Sequence, residues 1–322
     1  MTVPAASPPP APHSALRRLV ARHPVAAFLI MYFAFTYLSA LVPFLTQRVI
    51  LPFGVTLWDP LPTLFGCAAA FLVVAAMHGR AGVLDLARRS LRWRVGLRWY
   101  LVALLGLPIA TLLCASALFG LAPLNALVAK WELLFTLVVP MLLFRVVLNL
   151  TEEIGWMGFL QDRLQERHGP LMGSALVTIP FALWHLPSWT LELGLTFAQL
   201  HLALLVTVLF GVTHLFARVF MMWLYNNTRR SVLLVTLFHA TFNTTVSPRG
   251  FGGEFIPGGS ALWIATGVIA VAAVLVVIFT RGALVRTGAH SAPAGVYSPK
   301  CLVGKFCELP LYGVLRSSLQ KR

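Results

Sequence analysis

Acidic residues are scarce in this chain. Its 322 residues hold 10 Asp and Glu against 25 Lys and Arg, and only 11% are charged. A water-soluble domain of this length carries about 25% charged residues, so that class is excluded. Cysteine is almost as rare. Cys67 and Cys114 fall inside apolar runs and read as small packing residues. Cys301 and Cys307 form a C-x5-C pair with no histidine pattern beside it, which points to free thiols rather than a metal knuckle or a disulfide framework. The zinc-protease signature HExxH is absent, and so is any tandem repeat. The net charge of +15 does not make a nucleic-acid binder, because no basic patch interleaved with aromatics accompanies it.

What the chain has is long apolar stretches. It is 58% hydrophobic, with a mean hydropathy of +0.82. The runs at 24–45, 61–78, 100–121, 132–150, 171–187, 197–224, 231–246 and 260–280 predict an all-α, polytopic membrane helix bundle of about eight transmembrane helices. The fifth and seventh are short, as is tolerated where protein or water lines a cavity. Residues 1–16 are Ala/Pro-rich and read as a disordered tail, 17–282 as the membrane domain and 283–322 as a second tail. The first apolar run is longer than a signal-peptide core and lacks a clear A-x-A site, so it reads as the first span. The end, SSLQKR, is not a prenylation signal, so no lipid anchor is expected there. Basic residues concentrate in alternate segments: Arg17, Arg18 and Arg22, then Arg80 to Arg98, Arg163 and Arg167, Arg229 and Arg230, and the C-terminal tail. Arg48, Lys130 and Arg249 are left for the opposite loops. This asymmetry predicts a multi-pass protein of the plasma membrane with both termini cytoplasmic, its positive charge facing anionic lipid. Leu84–Tyr100 mixes Arg with Leu and Trp, and reads equally as an interfacial amphipathic helix or a basic loop.

Against this background three polar islands stand out. Glu152-Glu153 closes the apolar run Trp131–Leu150. FALWH ends at His185, and HATFN runs from His239 to Asn243. Ionisable groups at membrane depth are costly and tend to mark function. His239 and Asn243, spaced i, i+4, share one helix face. Peptide hydrolysis needs an activated water, a proton acceptor and an oxyanion stabiliser, and these residue types supply all three. Taken alone, a Glu-Glu at a helix end is a solvated terminus, and a membrane histidine is an interhelical hydrogen-bond partner. His201 and His214 lack motif context and keep that plainer reading.

The stretches TEEIGWMGFLQDRL (Thr151–Leu164), FALWHLPSW (Phe181–Trp189) and WLYNNTRRSVLLVTLFHATFN (Trp223–Asn243) together resemble the CPBP family of intramembrane proteases. That family includes the Rce1-type CAAX prenyl endopeptidases and the bacterial bacteriocin-immunity (Abi) proteins. The likeness spans roughly residues 130–246, on the order EExxxR, FxxxH, HxxxN. It implies Glu152 as general base on water, Glu153 as a supporting carboxylate, His185 positioning the water, and His239 with Asn243 stabilising the oxyanion. Glutamate-activated water is the favoured chemistry, and zinc held by Glu152, His185 and His239 is the alternative. One position departs from the pattern: the family's arginine falls on Met157, which cannot neutralise Glu153. Arg145, two helical turns before Glu152 and on one stripe with Asn149, is the expected substitute counter-charge.

The expected function is endopeptidase cleavage of a membrane-associated protein or peptide. The Ala/Arg/Leu-rich composition is that of a GC-rich bacterium, where prenylated substrates are not expected to be common. A non-catalytic immunity or scaffold protein that binds a peptide partner is the alternative, kept open by Met157. A transporter would spread polar residues over more spans than these.

Overall fold

The computed structural model describes residues 14–45, 60–194 and 196–285. Cys301, Cys307 and nearly all of the two expected tails lie outside the described residues. Among the described residues every regular element is helical: α1 Ala15–Arg22, α2 Pro24–Leu45, α3 Pro60–Ser90, α4 Leu97–Phe119, α5 Ala122–Ala129, α6 Leu134–His168, α7 Pro170–Trp184, α8 Leu186–Glu192, α9 Leu200–Asn227, α10 Val232–Val246, α11 Phe251–Phe255 and α12 Ala261–Thr280. Six of them are long and apolar enough to cross a bilayer, and α1 with α2, bent by 101° at their junction, makes a seventh. The remaining expected span, the seventh in chain order, is α10. Its 15 residues reach only ~22 Å, less than the ~30 Å hydrocarbon layer.

The shortness of α10 follows from its place. Buried residues run all round it, from Val232 through Thr245, so its neighbours are protein rather than lipid. It packs against α6, α9, α4 and α12. The outer helices turn Leu105, Leu113, Leu143, Val147 and Val208 outward, the pattern expected of an acyl-chain-facing surface.

α6 is the longest element, 35 residues or ~52 Å, with π-helical turns at Leu134–Val138 and Trp156–Gln161. The apolar run that stops at Leu150 in the sequence therefore does not end the helix. Glu152 and Glu153 lie well inside it, followed by a π turn of the kind that recurs at functional sites. α6 meets α3 closely here. A Cβ on Gly155 would stand 3.3 Å from the Gly66 carbonyl, and Thr151 donates its hydroxyl to Thr63 at 2.9 Å.

α3 kinks at Gly79, whose φ of 59° suits glycine. Its second arm, residues 80–90, carries the first part of Leu84–Tyr100, which is helix to Ser90, then a short loop, then the start of α4. It also buries a charge. Arg89 donates to Asp85 (2.8 Å), Asp162 (3.2 Å), the Gly158 carbonyl (3.2 Å) and Tyr225 (2.5 Å). Arg230, in the turn between α9 and α10, also pairs with Asp162. That turn places Arg229 and Arg230 both at positive φ (56° and 62°), a strained geometry held by these pairs and by the Ser231 hydroxyl on the Arg92 carbonyl at 2.6 Å. The network fixes where α10 enters, and with it the height of His239 against α6.

Candidate active site

α6, α9 and α10 converge on the glutamate pair. Glu153, with no exposed surface, uses both carboxylate oxygens: Oε2 accepts from Arg218 Nη1 at 2.8 Å, and Oε1 stands 2.8 Å from His239 Nδ1. An ionised carboxylate only accepts, so Nδ1 carries the proton and Nε2 faces away from Glu153. Glu152 is buried as well, and its Oε1 has no hydrogen-bond partner among the described residues. One ligand atom from each of Glu152, Glu153 and His239 lies within 4.8 Å of the others. The two adjacent carboxylates thus differ completely: one is saturated, the other has a free oxygen beside an imidazole.

Arg218 is the residue the motif reading missed. It comes from the middle of α9, is 1% exposed, and supplies the counter-charge assigned in the sequence to Arg145. Arg145 makes no ion pair with Glu152 or Glu153. Met157 is fully buried, and the charge its family position would bring arrives instead from another helix. An arginine in an apolar span, one turn after His214, was the available signal. Gln161 locks this part of α9 in place, donating to Ser174 on α7 at 3.0 Å and to the Arg218 carbonyl at 3.3 Å.

Phe181 is the hub of the aromatic surround. The Arg218 guanidinium carbon lies 4.0 Å from its ring centre, and the rings of His185, His214 and His239 stand at 4.7, 5.6 and 6.5 Å. His185 and His214 behave alike. Each gives Nδ1–H to a carbonyl one turn back, Phe181 at 2.9 Å and Phe210 at 3.0 Å, which leaves Nε2 as an acceptor. His185 nonetheless stands outside the group gathered at Glu152. It is held among Trp184, Trp189 and Phe210, so the expected ligand set of Glu152, His185 and His239 is not assembled, and Glu153 occupies the third place. Asn243 lies one turn beyond His239 on α10, partly exposed, and no hydrogen bond to it is found among the described residues. A cavity of ≈ 10 Å³, room for about one water, is lined by His214, Arg218, Phe238 and His239. Arg218 Nη2 is buried there with no partner among the described residues.

Residues 134–245, which hold every one of these groups, match the family model described as Type II CAAX prenyl endopeptidase Rce1-like. The likeness to the Rce1-like family is confined to that segment. Among curated proteins the chain is similar to CAAX prenyl protease 2 of Methanococcus maripaludis, 27% identical over 105 residues. That alignment covers 33% of this chain and 39% of the relative, so the chain spans well under half of the relative's length. The Rce1-like segment runs from the start of α6 nearly to the end of α10. The bent pair α1–α2 and the last span α12 lie outside the matched residues.

Proposed function

We propose that this chain is an intramembrane endopeptidase that hydrolyses a peptide bond in a membrane-anchored protein or peptide, with Glu152 activating water. The observation that carries this reading is the division between the two carboxylates. Arg218 and His239 occupy Glu153, so Glu152 is left to take a proton. In the reaction, water between Glu152 and His239 attacks the scissile carbonyl and gives its proton to Glu152. The Nε2 lone pair of His239 accepts a hydrogen bond from the attacking water and orients it, and the oxyanion is met by donors on α10 and α9, the Asn243 amide and the spare Nη2 of Arg218. As the C–N bond breaks, Glu152 returns the proton to the leaving amine.

Zinc fits this donor set poorly. A guanidinium already sits 2.8 Å from Glu153, and His239 Nδ1 is committed to the same carboxylate. A cation would have to displace or face that positive charge. The glutamate-type mechanism is therefore favoured over a metalloprotease. The scaffold alternative rested on Met157, and the counter-charge that Arg218 brings to Glu153 weighs against it.

The relative's name makes a CAAX-type peptide, a prenylated cysteine followed by three residues, the first probe. The purified chain in liposomes should release two fragments. In water enriched in oxygen-18, mass spectrometry should find solvent oxygen in the new carboxyl group. Binding without fragments, from this and from a library of membrane peptides, would instead support a scaffold. We place the protein in the plasma membrane with both termini cytoplasmic, on the distribution of Arg and Lys. Protease protection of tags at either end tests that orientation.

A further inference from the structure

Tyr32 reaches the site from outside the segment that carries the motifs. It lies on α2, while the Rce1-like match begins at residue 134. Phe28, Tyr32 and Thr36, each one turn after the last, are all buried and turn one face of α2 inward. That face meets motif residues. Tyr32 packs on Trp156 and Trp184 with ring centres 5.0 and 5.4 Å away, and Thr36 Oγ1 accepts the Trp184 indole N–H at 2.7 Å. Tyr37 donates its hydroxyl to the Leu183 carbonyl at 3.1 Å, so α2 is tied at two points to the turn that leads into His185. Room for the polar end of the Tyr32 ring comes from α3. A Cβ on Gly66 would fall 2.2 Å from Tyr32 Cζ, the carbon that bears the hydroxyl.

Three polar atoms at this junction are enclosed and have no hydrogen-bond partner among the described residues: Tyr32 Oη, Trp156 Nε1 and Glu152 Oε1. A buried polar group left unmet is costly, and three together call for an explanation. They complement one another. An indole only donates, an ionised carboxylate only accepts, and a phenol does both. Trp156 lies one turn beyond Glu152 on α6 and bears on the phenol hydroxyl through its N–H. Glu152 is the charge that this hydroxyl feels most, ahead of Glu153 and Arg218. One line serves all three groups: Trp156 Nε1–H to Tyr32 Oη, and Tyr32 O–H to Glu152 Oε1. Such bonds are often long in a resting enzyme and tighten when substrate is bound. We infer that Tyr32 is a positioning residue of the site, its hydroxyl held by Trp156 and closing on the enclosed oxygen of Glu152, so that the other oxygen is aimed at the water. Glu152 is 8% exposed, and that surface is left to the oxygen that takes the proton. The inference rests on the endopeptidase reading and adds to it a hydrogen-bond relay supplied by a helix outside the matched residues.

The test uses the full chain in liposomes and the CAAX-type peptide. Tyr32→Phe removes the hydroxyl and keeps the ring. It is expected to lower kcat about 10- to 100-fold, the worth of a hydrogen bond to a charged group, with KM within about twofold because Tyr32 does not touch the substrate. Its unfolding midpoint should not fall, since the hydroxyl has no partner to lose in the resting chain. Unchanged kcat overturns the inference. So does a loss that appears in KM alone or alongside a lower midpoint, either of which marks Tyr32 as packing. A second readout needs no turnover. An analogue of the peptide with a reduced CH2–NH bond in place of the scissile amide is bound, and the infrared carboxyl band of Glu152 is assigned by its loss in Glu152→Gln. That band should shift in Tyr32→Phe, and an unmoved band overturns the relay. A shifted band supports it even if no cleavage is ever seen. Cleavage by wild type with an unmoved band and unchanged kcat removes Tyr32 and leaves the endopeptidase.

Discussion

Arg218→Met is the perturbation that most exposes how this site is held together. The pair it breaks is nearly inaccessible, with Arg218 1% exposed and Glu153 not at all, at 2.8 Å. Methionine keeps most of the side-chain volume, so little cavity forms. What remains is a buried carboxylate with one partner, His239, and a second, unsaturated carboxylate next to it in sequence. Removing one member of a buried ion pair costs about 3–5 kcal/mol, because the other charge is stranded. Replacing both members by neutral groups is often close to neutral. Arg218→Met should therefore lose about 3–5 kcal/mol and Glu153→Gln a comparable amount, whereas the double variant should recover most of either loss. Denaturant unfolding in detergent, read by tryptophan fluorescence, measures all four states of the cycle. A coupling above about 1 kcal/mol is expected between contacting charges. Additive effects, or an Arg218→Met cost below about 1 kcal/mol, would refute the assignment of Arg218 as the counter-charge.

Two further outcomes follow from the same geometry. Chelators such as EDTA or phenanthroline should leave cleavage within about twofold of the untreated rate, since the mechanism assigns the proton to Glu152 and no step to a metal; complete loss restored by zinc would reverse that. Gly66→Ala should destabilise the chain by about 1–3 kcal/mol, because the added Cβ would fall 2.2 Å from the Tyr32 ring where α2, α3 and α6 close on one another; an unchanged unfolding midpoint would show that α2 yields there.

The membrane-spanning helices were legible because apolar length is a property of each segment alone. So was the part of the site written in local motifs: His239 does meet the Glu pair. The partner of Glu153 was not legible. Spacing along α6 nominated Arg145, but counter-charge is settled by which helices touch, and the helix that touches brings Arg218. The extent of α6 was misjudged for a related reason. Thr-Glu-Glu looks like a solvated helix end, yet α3, α9 and α10 bury it, satisfy one carboxylate and let the helix continue to His168. His185 shows the limit of a motif: its spacing fixed the turn it sits on, while the Trp184, Trp189 and Phe210 rings decided that it stands apart from Glu152.

The unequal roles of two neighbouring carboxylates are most directly tested by measuring cleavage rate and unfolding midpoint together on Glu152→Gln and Glu153→Gln. Glu152→Gln should lose at least about 10²-fold in cleavage, the usual share of a general base, and keep its midpoint. Glu153→Gln should lower the midpoint by stranding Arg218. Cleavage that persists in Glu152→Gln, or a midpoint indifferent to Glu153→Gln, would contradict the division of labour on which the mechanism stands.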